Sequence, residues 1–140
     1  MDSFQVADGD SITVRQTDSS QMSVKLCGID APEVKHGKSP GQPLVNEAKQ
    51  KLLKLVAAAD NQLMIVPVEK DNDGRTVAEV MAHGRGEAEI SFQEELLKNG
   101  LARTRNSSVE CPNQLAFEQA QDIAKASKLG IWNQSNLERH

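Results

Sequence analysis

Short stretches of alternating apolar residues, separated by turn-forming residues, fill the N-terminal part of this chain and restrict the folds open to it. In the second stretch Ile12 and Val14 alternate with polar neighbours, which is typical of a strand with one buried face. The predicted strands cover residues 4–8, 11–16 and 21–29, with turns at 8–10 and 18–20. This region is therefore predicted to form a meander of three short antiparallel strands.

The third stretch divides its residues between two faces of its strand. One face carries Met22, Val24 and Leu26, and the other carries Ser23, Lys25 and Cys27. Because the apolar face is the one that packs on a core, we expect Lys25 on the opposite face to point into solvent.

A helix and a hairpin follow. From Leu44 onward, apolar residues recur at intervals of three and four, which predicts a helix with one buried stripe. Leu63–Val68 and Arg75–Ala82 are predicted strands, and the turn residues Asn72-Asp73-Gly74 join them as a hairpin.

Two further helices are predicted, at about Ile90–Lys98 and from Pro112 to near Gly130. Five short strands with a helix inserted after the third fit an α+β fold: a five-stranded OB-type barrel with three helices. A chain of 140 residues fits one domain, so residues 1–140 are predicted to form a single unit.

The charge balance and the apolar pattern exclude several classes of protein. The net charge is −4, so any nucleic-acid binding must depend on a local cationic site. No run of apolar residues approaches the length of about 20 that a membrane helix needs, so no membrane partner is expected. Residues 1–4 do not begin a signal peptide. The sequence indicates no location, and export is compatible with it.

The two cysteines and three histidines do not predict a zinc site. Cys27 and Cys111 form no CxxC pair, and the histidines lack ligand spacing. In an exported protein a disulfide between Cys27 and Cys111 is possible, and the alternative is two unpaired thiols.

Acidic residues collect at two predicted strand ends. Asp10 and Asp30 each offer a carboxylate, and Pro32 biases Ala31 toward an extended backbone that holds its carbonyl in one direction. Glu33 is placed to bind a metal or to orient a water molecule. Such oxygen donors suit Ca²⁺ or Mg²⁺, although both segments can also be read as ordinary solvated turns.

Two cations complete this chemistry. Cleavage of a phosphodiester builds negative charge on the phosphoryl oxygens, which Arg or Lys stabilises. Arg75 follows a glycine turn at the start of a strand, and Lys25 precedes Asp30 by five residues. Each alone reads as a surface charge, but both beside two acidic turns would form a site.

Five segments match a known set of motifs in the same order. They are Asp8-Gly9-Asp10-Ser11, Val24-Lys25-Leu26-Cys27-Gly28-Ile29-Asp30-Ala31-Pro32-Glu33, Asp71-Asn72-Asp73-Gly74-Arg75, Asn99-Gly100-Leu101-Ala102 and Gly130-Ile131-Trp132. With them the chain resembles the staphylococcal nuclease (thermonuclease) family over about residues 4–133.

The resemblance implies an OB-type barrel with three helices and Ca²⁺-dependent hydrolysis of DNA and RNA to 3′-phosphate products. Asp10 and Asp30 would bind Ca²⁺ through their carboxylates and Ala31 through its carbonyl. Glu33 would position or activate the attacking water, and Arg75 would bind the phosphate. We expect Ca²⁺ in preference to Mg²⁺, DNA or RNA as substrate, and a monomer.

Two departures from the family pattern predict reduced activity. Lys25 stands where the family has a catalytic arginine, and lysine cannot bind two phosphate oxygens at once. Loss of one charge-assisted hydrogen bond to the phosphate would raise the activation barrier by ~2–3 kcal/mol, which lowers the rate roughly 30- to 150-fold. The chain has no Tyr, so the family's base-stacking rings are absent, and Arg103 and Arg105 are expected to replace part of that binding. The alternative is a nuclease-like module that binds nucleic acid or protein without catalysis.

Overall fold

The strand-forming stretches pair into a mixed sheet in a computed structural model, which describes residues 3–15, 20–32, 42–59, 63–83, 89–105 and 110–133. The strands are β1 (Ser3–Asp8), β2 (Ser11–Arg15), β3 (Gln21–Leu26), β4 (Ile29–Asp30), β5 (Leu63–Lys70), β6 (Thr76–His83), β7 (Glu89–Ser91) and β8 (Arg103–Thr104). The helices are α1 (Gln42–Ala58), α2 (Phe92–Lys98) and α3 (Gln114–Ser127), with a 3₁₀ turn at Gly130–Trp132. None of these helices has the length and apolar character to cross a membrane.

The main sheet follows the order β1-β2-β3-β6-β5, and β7 pairs with β6. β1, β2 and β3 form the predicted antiparallel meander, while β3 and β6 pair in parallel. β5 and β6 form the predicted hairpin. The predicted α+β class, with its three helices, is therefore confirmed. β4, β7 and β8 are additions that the sequence pattern did not predict.

The third predicted strand is too long at its C-terminal end. It stops at Leu26, because Gly28 adopts a left-handed backbone with φ of 79° and turns the chain out of the sheet. A Cβ at Gly28 would lie 2.8 Å from Cys111 Sγ, so the turn also has no room for a side chain. Ile29 and Asp30 then pair with β8 in a separate two-stranded sheet. This break places Asp30 beside β8.

The core lies between the main sheet and the helices. α2 packs against α3 and β6, and α1 packs against β1. Gln93 of α2 is fully buried and connects these layers through hydrogen bonds. Its Oε1 accepts from the Val80 N–H at 3.2 Å, and its Nε2 donates to the Ala78 carbonyl at 3.0 Å and the Cys27 carbonyl at 3.4 Å. Gln93 thus holds the Cys27 turn against β6.

A disulfide joins Cys27 to Cys111, which decides between the two cysteine states that the sequence left open. Both cysteines are buried. Close by, the buried carboxylate of Glu79 accepts from the backbone N–H of Asn113 at 2.8 Å and from its Nδ2 at 2.6 Å. Because Asn113 directly precedes α3, the start of that helix is fixed to β6, and the disulfide fixes the preceding residues to the turn after β3.

Candidate active site

The turn between β1 and β2 holds Asp10 at the edge of the core. Asp10 is only 3% exposed, and its Oδ2 accepts a hydrogen bond from the Ala31 N–H at 3.0 Å. A Cβ at Gly9 would lie 2.6 Å from Ala48 Cβ and 2.8 Å from Ala31 Cβ, so only glycine fits between α1 and residue 31. This close packing sets the position of the Asp10 carboxylate.

Lys25 lies next to Asp10 because of the strand register. It pairs with Ser11, the residue after Asp10, across β2 and β3. Its Nζ lies 2.7 Å from Asp10 Oδ2 and 3.8 Å from Asp30 Oδ1, and it donates to the Ile29 carbonyl at 3.3 Å.

The expectation that Lys25 points into solvent is wrong, since the residue is only 7% exposed. Alternation along β3 separates two faces correctly, but it does not reveal what covers the second face. Here the acidic turn before β2 and the short strand β4 cover it, and their carboxylates pair with the buried ammonium. Lys25 is therefore part of an ion cluster.

Asp30 and Arg105 meet through the small sheet. Asp30 pairs with Arg103 across β4 and β8, and the Arg105 N–H donates to the Gly28 carbonyl at 2.7 Å. Arg105 Nη1 lies 4.0 Å from Asp30 Oδ1, and both side chains are about half exposed. Arg105 therefore adds a second cation beside the Asp30 carboxylate.

Arg103, the other predicted substrate-binding arginine, lies against an aromatic ring. Its guanidinium carbon is 5.8 Å from the centre of the Trp132 ring, and Lys125 Nζ is 4.8 Å from the same ring. These cation–π contacts hold the 3₁₀ turn at Gly130–Trp132 against β8 and α3. Of the two arginines, Arg105 lines the cleft described below.

A tight turn before β6 holds Arg75. The Asp71 Oδ1 accepts the backbone N–H groups of Asp73 and Arg75, each at 2.9 Å, and its Oδ2 accepts from Arg75 Nε at 2.8 Å. Asp73 Oδ2 lies 4.0 Å from an Nη atom of Arg75. Arg75 is thus oriented through its Nε, and because the contact of one Nη atom with Asp73 is long, its Nη groups can still bind a ligand.

The same contacts shift two pKa values. The hydrogen bond that Arg75 donates to the Asp71 carboxylate raises the pKa of Arg75, and the charges of Asp71, Asp73 and Asp10 raise it further against desolvation. For Asp71, desolvation is the largest effect and raises the pKa. The hydrogen bonds from Arg75 and from the Asp73 N–H together outweigh it, so the Asp71 pKa is lowered. Both groups are therefore charged at neutral pH. The effect of Asp10 on the pKa of Arg75 also shows that the Asp10 carboxylate and the Arg75 guanidinium interact electrostatically.

Lys25, Arg75 and Arg105 line one open cleft of about 410 Å³. Lys70, Asp71 and Asp73 also line it. Together with Glu69, the lining holds four cations and three carboxylates, so cations are in slight excess. Such a surface can bind a phosphate group and stabilise negative charge that develops on it.

The carboxylates next to the cleft match the chemistry of a hard cation. Asp10 and Asp30 offer only oxygen donors and lie within reach of one ammonium group, so a single cation between them is accommodated. Within the described ranges no group of three His, Cys, Asp or Glu side chains forms a metal site. Glu33, the third predicted carboxylate, lies outside the described residues. The donor chemistry thus fits Ca²⁺, on condition that Lys25 gives up its contact with Asp10.

Asp71 is a site residue to which sequence reasoning gave no role. Its signal was local: an Asp that opens a turn ending in glycine commonly accepts backbone N–H groups through its side chain. That signal predicts the backbone bonds to Asp73 and Arg75, but not the additional bond to the Arg75 guanidinium.

Comparison with known proteins agrees with this geometry. A family model described as "Staphylococcal nuclease homologue" matches residues 23–134. This match covers most of the chain, and the chain belongs to the staphylococcal nuclease family.

Individual relatives support the same grouping. The protein named "Thermonuclease" of Staphylococcus hyicus is 33% identical over 130 residues, which cover 93% of this chain and 73% of the relative. "Thermonuclease" of Staphylococcus intermedius is 32% identical over 127 residues, 91% of this chain and 72% of the relative. "Probable endonuclease LCL3" of Nakaseomyces delphensis is 33% identical over 121 residues, 84% of this chain. The match spans only 45% of that fungal protein.

Proposed function

We propose that this chain is a nuclease that hydrolyses phosphodiester bonds of DNA or RNA in the cleft lined by Lys25, Arg75 and Arg105. The observation that carries the proposal is the convergence of these three cations beside the carboxylates of Asp10 and Asp30. The family and the nuclease names of its relatives support it.

Arg75 is the group proposed to stabilise the phosphoryl charge. Asp71 holds its Nε at 2.8 Å, so the guanidinium reaches the substrate already oriented. Donors that are fixed before the reaction stabilise a developing charge better than donors that must reorganise. Arg105, which is half exposed at the same cleft, is proposed to bind a neighbouring phosphate of the nucleic acid. Arg103 does not line the cleft, and its proposed contribution to substrate binding comes from the sequence alone.

The remaining parts of the proposal come from the family resemblance. Asp10, Asp30 and the Ala31 carbonyl would hold Ca²⁺, and Mg²⁺ suits such a site less well. When bound, Ca²⁺ would supply positive charge next to the phosphate under attack. Glu33 would orient the attacking water, and the products would carry a 3′-phosphate. We also propose an OB-type closure of the sheet, a single domain over residues 1–140 and a monomer.

The activity is proposed to be lower than in family members with an arginine at position 25. An ammonium cannot bind two phosphate oxygens in the planar manner of a guanidinium. In addition, Lys25 is already engaged by Asp10 at 2.7 Å. The same ion pair is the observation that favours the alternative function, a nuclease-like module that binds nucleic acid or protein without cleaving it.

A plasmid-cleavage assay distinguishes the two functions. Supercoiled DNA incubated with the protein should be nicked in Ca²⁺, more slowly in Mg²⁺, and not in EDTA. The nicked ends should support polymerase extension only after phosphatase treatment, because a 3′-phosphate blocks extension. Binding of DNA in Ca²⁺ without any nicking would contradict the proposal and establish the binding module.

A further inference from the structure

Lys25 is the cation that the structure already holds between the two carboxylates of the site. Its Nζ contacts Asp10 Oδ2 at 2.7 Å, lies 3.8 Å from Asp30 Oδ1, and donates to the Ile29 carbonyl at 3.3 Å. These are oxygen atoms from two carboxylates and one backbone carbonyl, the type of donors that hard metal ions take. The ammonium therefore lies between the two carboxylates that are proposed to hold the metal ion.

Four charged groups that contact one another at this position balance without a metal. Asp10 and Asp30 contribute −2, and Lys25 and Arg105, which contact them, contribute +2, so these four groups sum to zero. Calcium sites gain affinity from the number of their charged ligands. A divalent ion entering this cluster must therefore bind beside two cations, the buried Lys25 and the half-exposed Arg105.

Burial makes the contact of Lys25 with Asp10 stronger than an ordinary surface ion pair. The side chains of Lys25 and Asp10 are 9% and 4% exposed, so water screens them little. The Lys25–Asp30 contact is longer, and the Asp30 side chain is 45% exposed. Competition between Lys25 and a metal is accordingly centred on the Asp10 carboxylate.

We propose that Lys25 acts as an intrinsic competitor of the divalent metal, so that its ammonium weakens Ca²⁺ binding at Asp10 and Asp30. The inference rests on the proposed function in naming Ca²⁺ as the ion. It assigns Lys25 a second effect, on metal affinity, in addition to its proposed contact with phosphate.

Calorimetric titration of Ca²⁺ into the parent and into Lys25→Met tests the inference without any activity measurement. Met keeps the unbranched stem and removes the charge. We expect Lys25→Met to bind Ca²⁺ at least about tenfold more tightly than the parent, since one fixed cation is removed from the cluster. Lys25→Arg, which keeps the charge, should stay within a few-fold of the parent. Lys70→Met removes a charge from the same cleft and should also change the affinity little.

Thermal denaturation gives an independent readout of the same competition. Without Ca²⁺, Lys25→Met should melt below the parent, because the buried Asp10 carboxylate loses its cation. Added Ca²⁺ should raise its Tm more than that of the parent. Lys25→Gln, which retains a hydrogen-bond donor for Asp10, replaces Lys25→Met if the latter does not fold.

Neutral variants that bind Ca²⁺ no more tightly than the parent would overturn the inference, and absence of Ca²⁺ binding in every protein would do the same. The failure of the proposed function is a different result. A parent that does not nick DNA in Ca²⁺ would contradict the nuclease even if the neutral variants bind Ca²⁺ tightly. Nicking by the parent together with unchanged Ca²⁺ affinities would contradict only the role of Lys25.

Discussion

Arg75→Ala should lower the rate of nucleic-acid cleavage by about 100-fold or more, with little loss of stability. The substitution removes the guanidinium that Asp71 orients at the cleft. The side chain is 37% exposed, so its ion pairs contribute only about 1 kcal/mol or less to folding. Single-turnover cleavage rates and urea denaturation of the two proteins measure these effects separately.

Arg15→Ala is the matched control for this variant. Arg15 is an exposed arginine at the far end of β2 from Ser11, roughly 13 Å along the strand. Its removal changes the net charge by the same amount and should leave the cleavage rate near that of the parent. If Arg75→Ala cleaved as fast as Arg15→Ala, Arg75 would have no role in stabilising the phosphoryl charge.

Removal of the Cys27–Cys111 disulfide should lower the free energy of unfolding far more than Arg75→Ala does. The bond closes a loop with a sequence separation of 84, and the chain-entropy estimate for a loop of this length is about 4–5 kcal/mol. Cys27→Ala/Cys111→Ala should lose a comparable part of its free energy of unfolding. Urea denaturation of this double variant and of the parent, both without reductant, measures the loss.

The reduced parent is the control for the packing change in the double variant. The parent protein, denatured by urea in the presence of reductant, should have a free energy of unfolding close to that of the double variant, because both lack the cross-link. A double variant as stable as the oxidised parent would contradict the role of the disulfide.

Local patterns in the sequence predicted the elements that depend on neighbouring residues. Alternation around Ile12 and Val14 placed β2, and the turn before Arg75 placed the β5–β6 hairpin. In both cases strand and turn signals lie within a few residues of each other. The same rules brought the two acidic turns and both cations forward as candidates for one site.

Long-range pairings could not be predicted in this way. The parallel pairing of β3 with β6 and the pairing of Asp30 with Arg103 join residues that are far apart in sequence. Both pairings determine the environment of Lys25 and Asp30. The sequence therefore identified Lys25 as a site residue but placed it in solvent, because nothing in β3 itself encodes the two acidic segments that cover it.

The central claim is that this chain cleaves nucleic acid with a metal-dependent carboxylate site, and Glu33→Ala tests it most directly. Glu33 is proposed to orient the attacking water, and in that role its carboxylate would lie near the phosphate, so its removal would take a negative charge away from the substrate. The measurement compares DNA nicking in Ca²⁺ by the parent and by Glu33→Ala, purified in parallel, with anisotropy of a labelled oligonucleotide in EDTA as the binding control. We predict EDTA-sensitive nicking by the parent, near-zero nicking by Glu33→Ala, and oligonucleotide binding by the variant equal to or tighter than that of the parent. Nicking by Glu33→Ala at the parental rate would contradict the proposed mechanism.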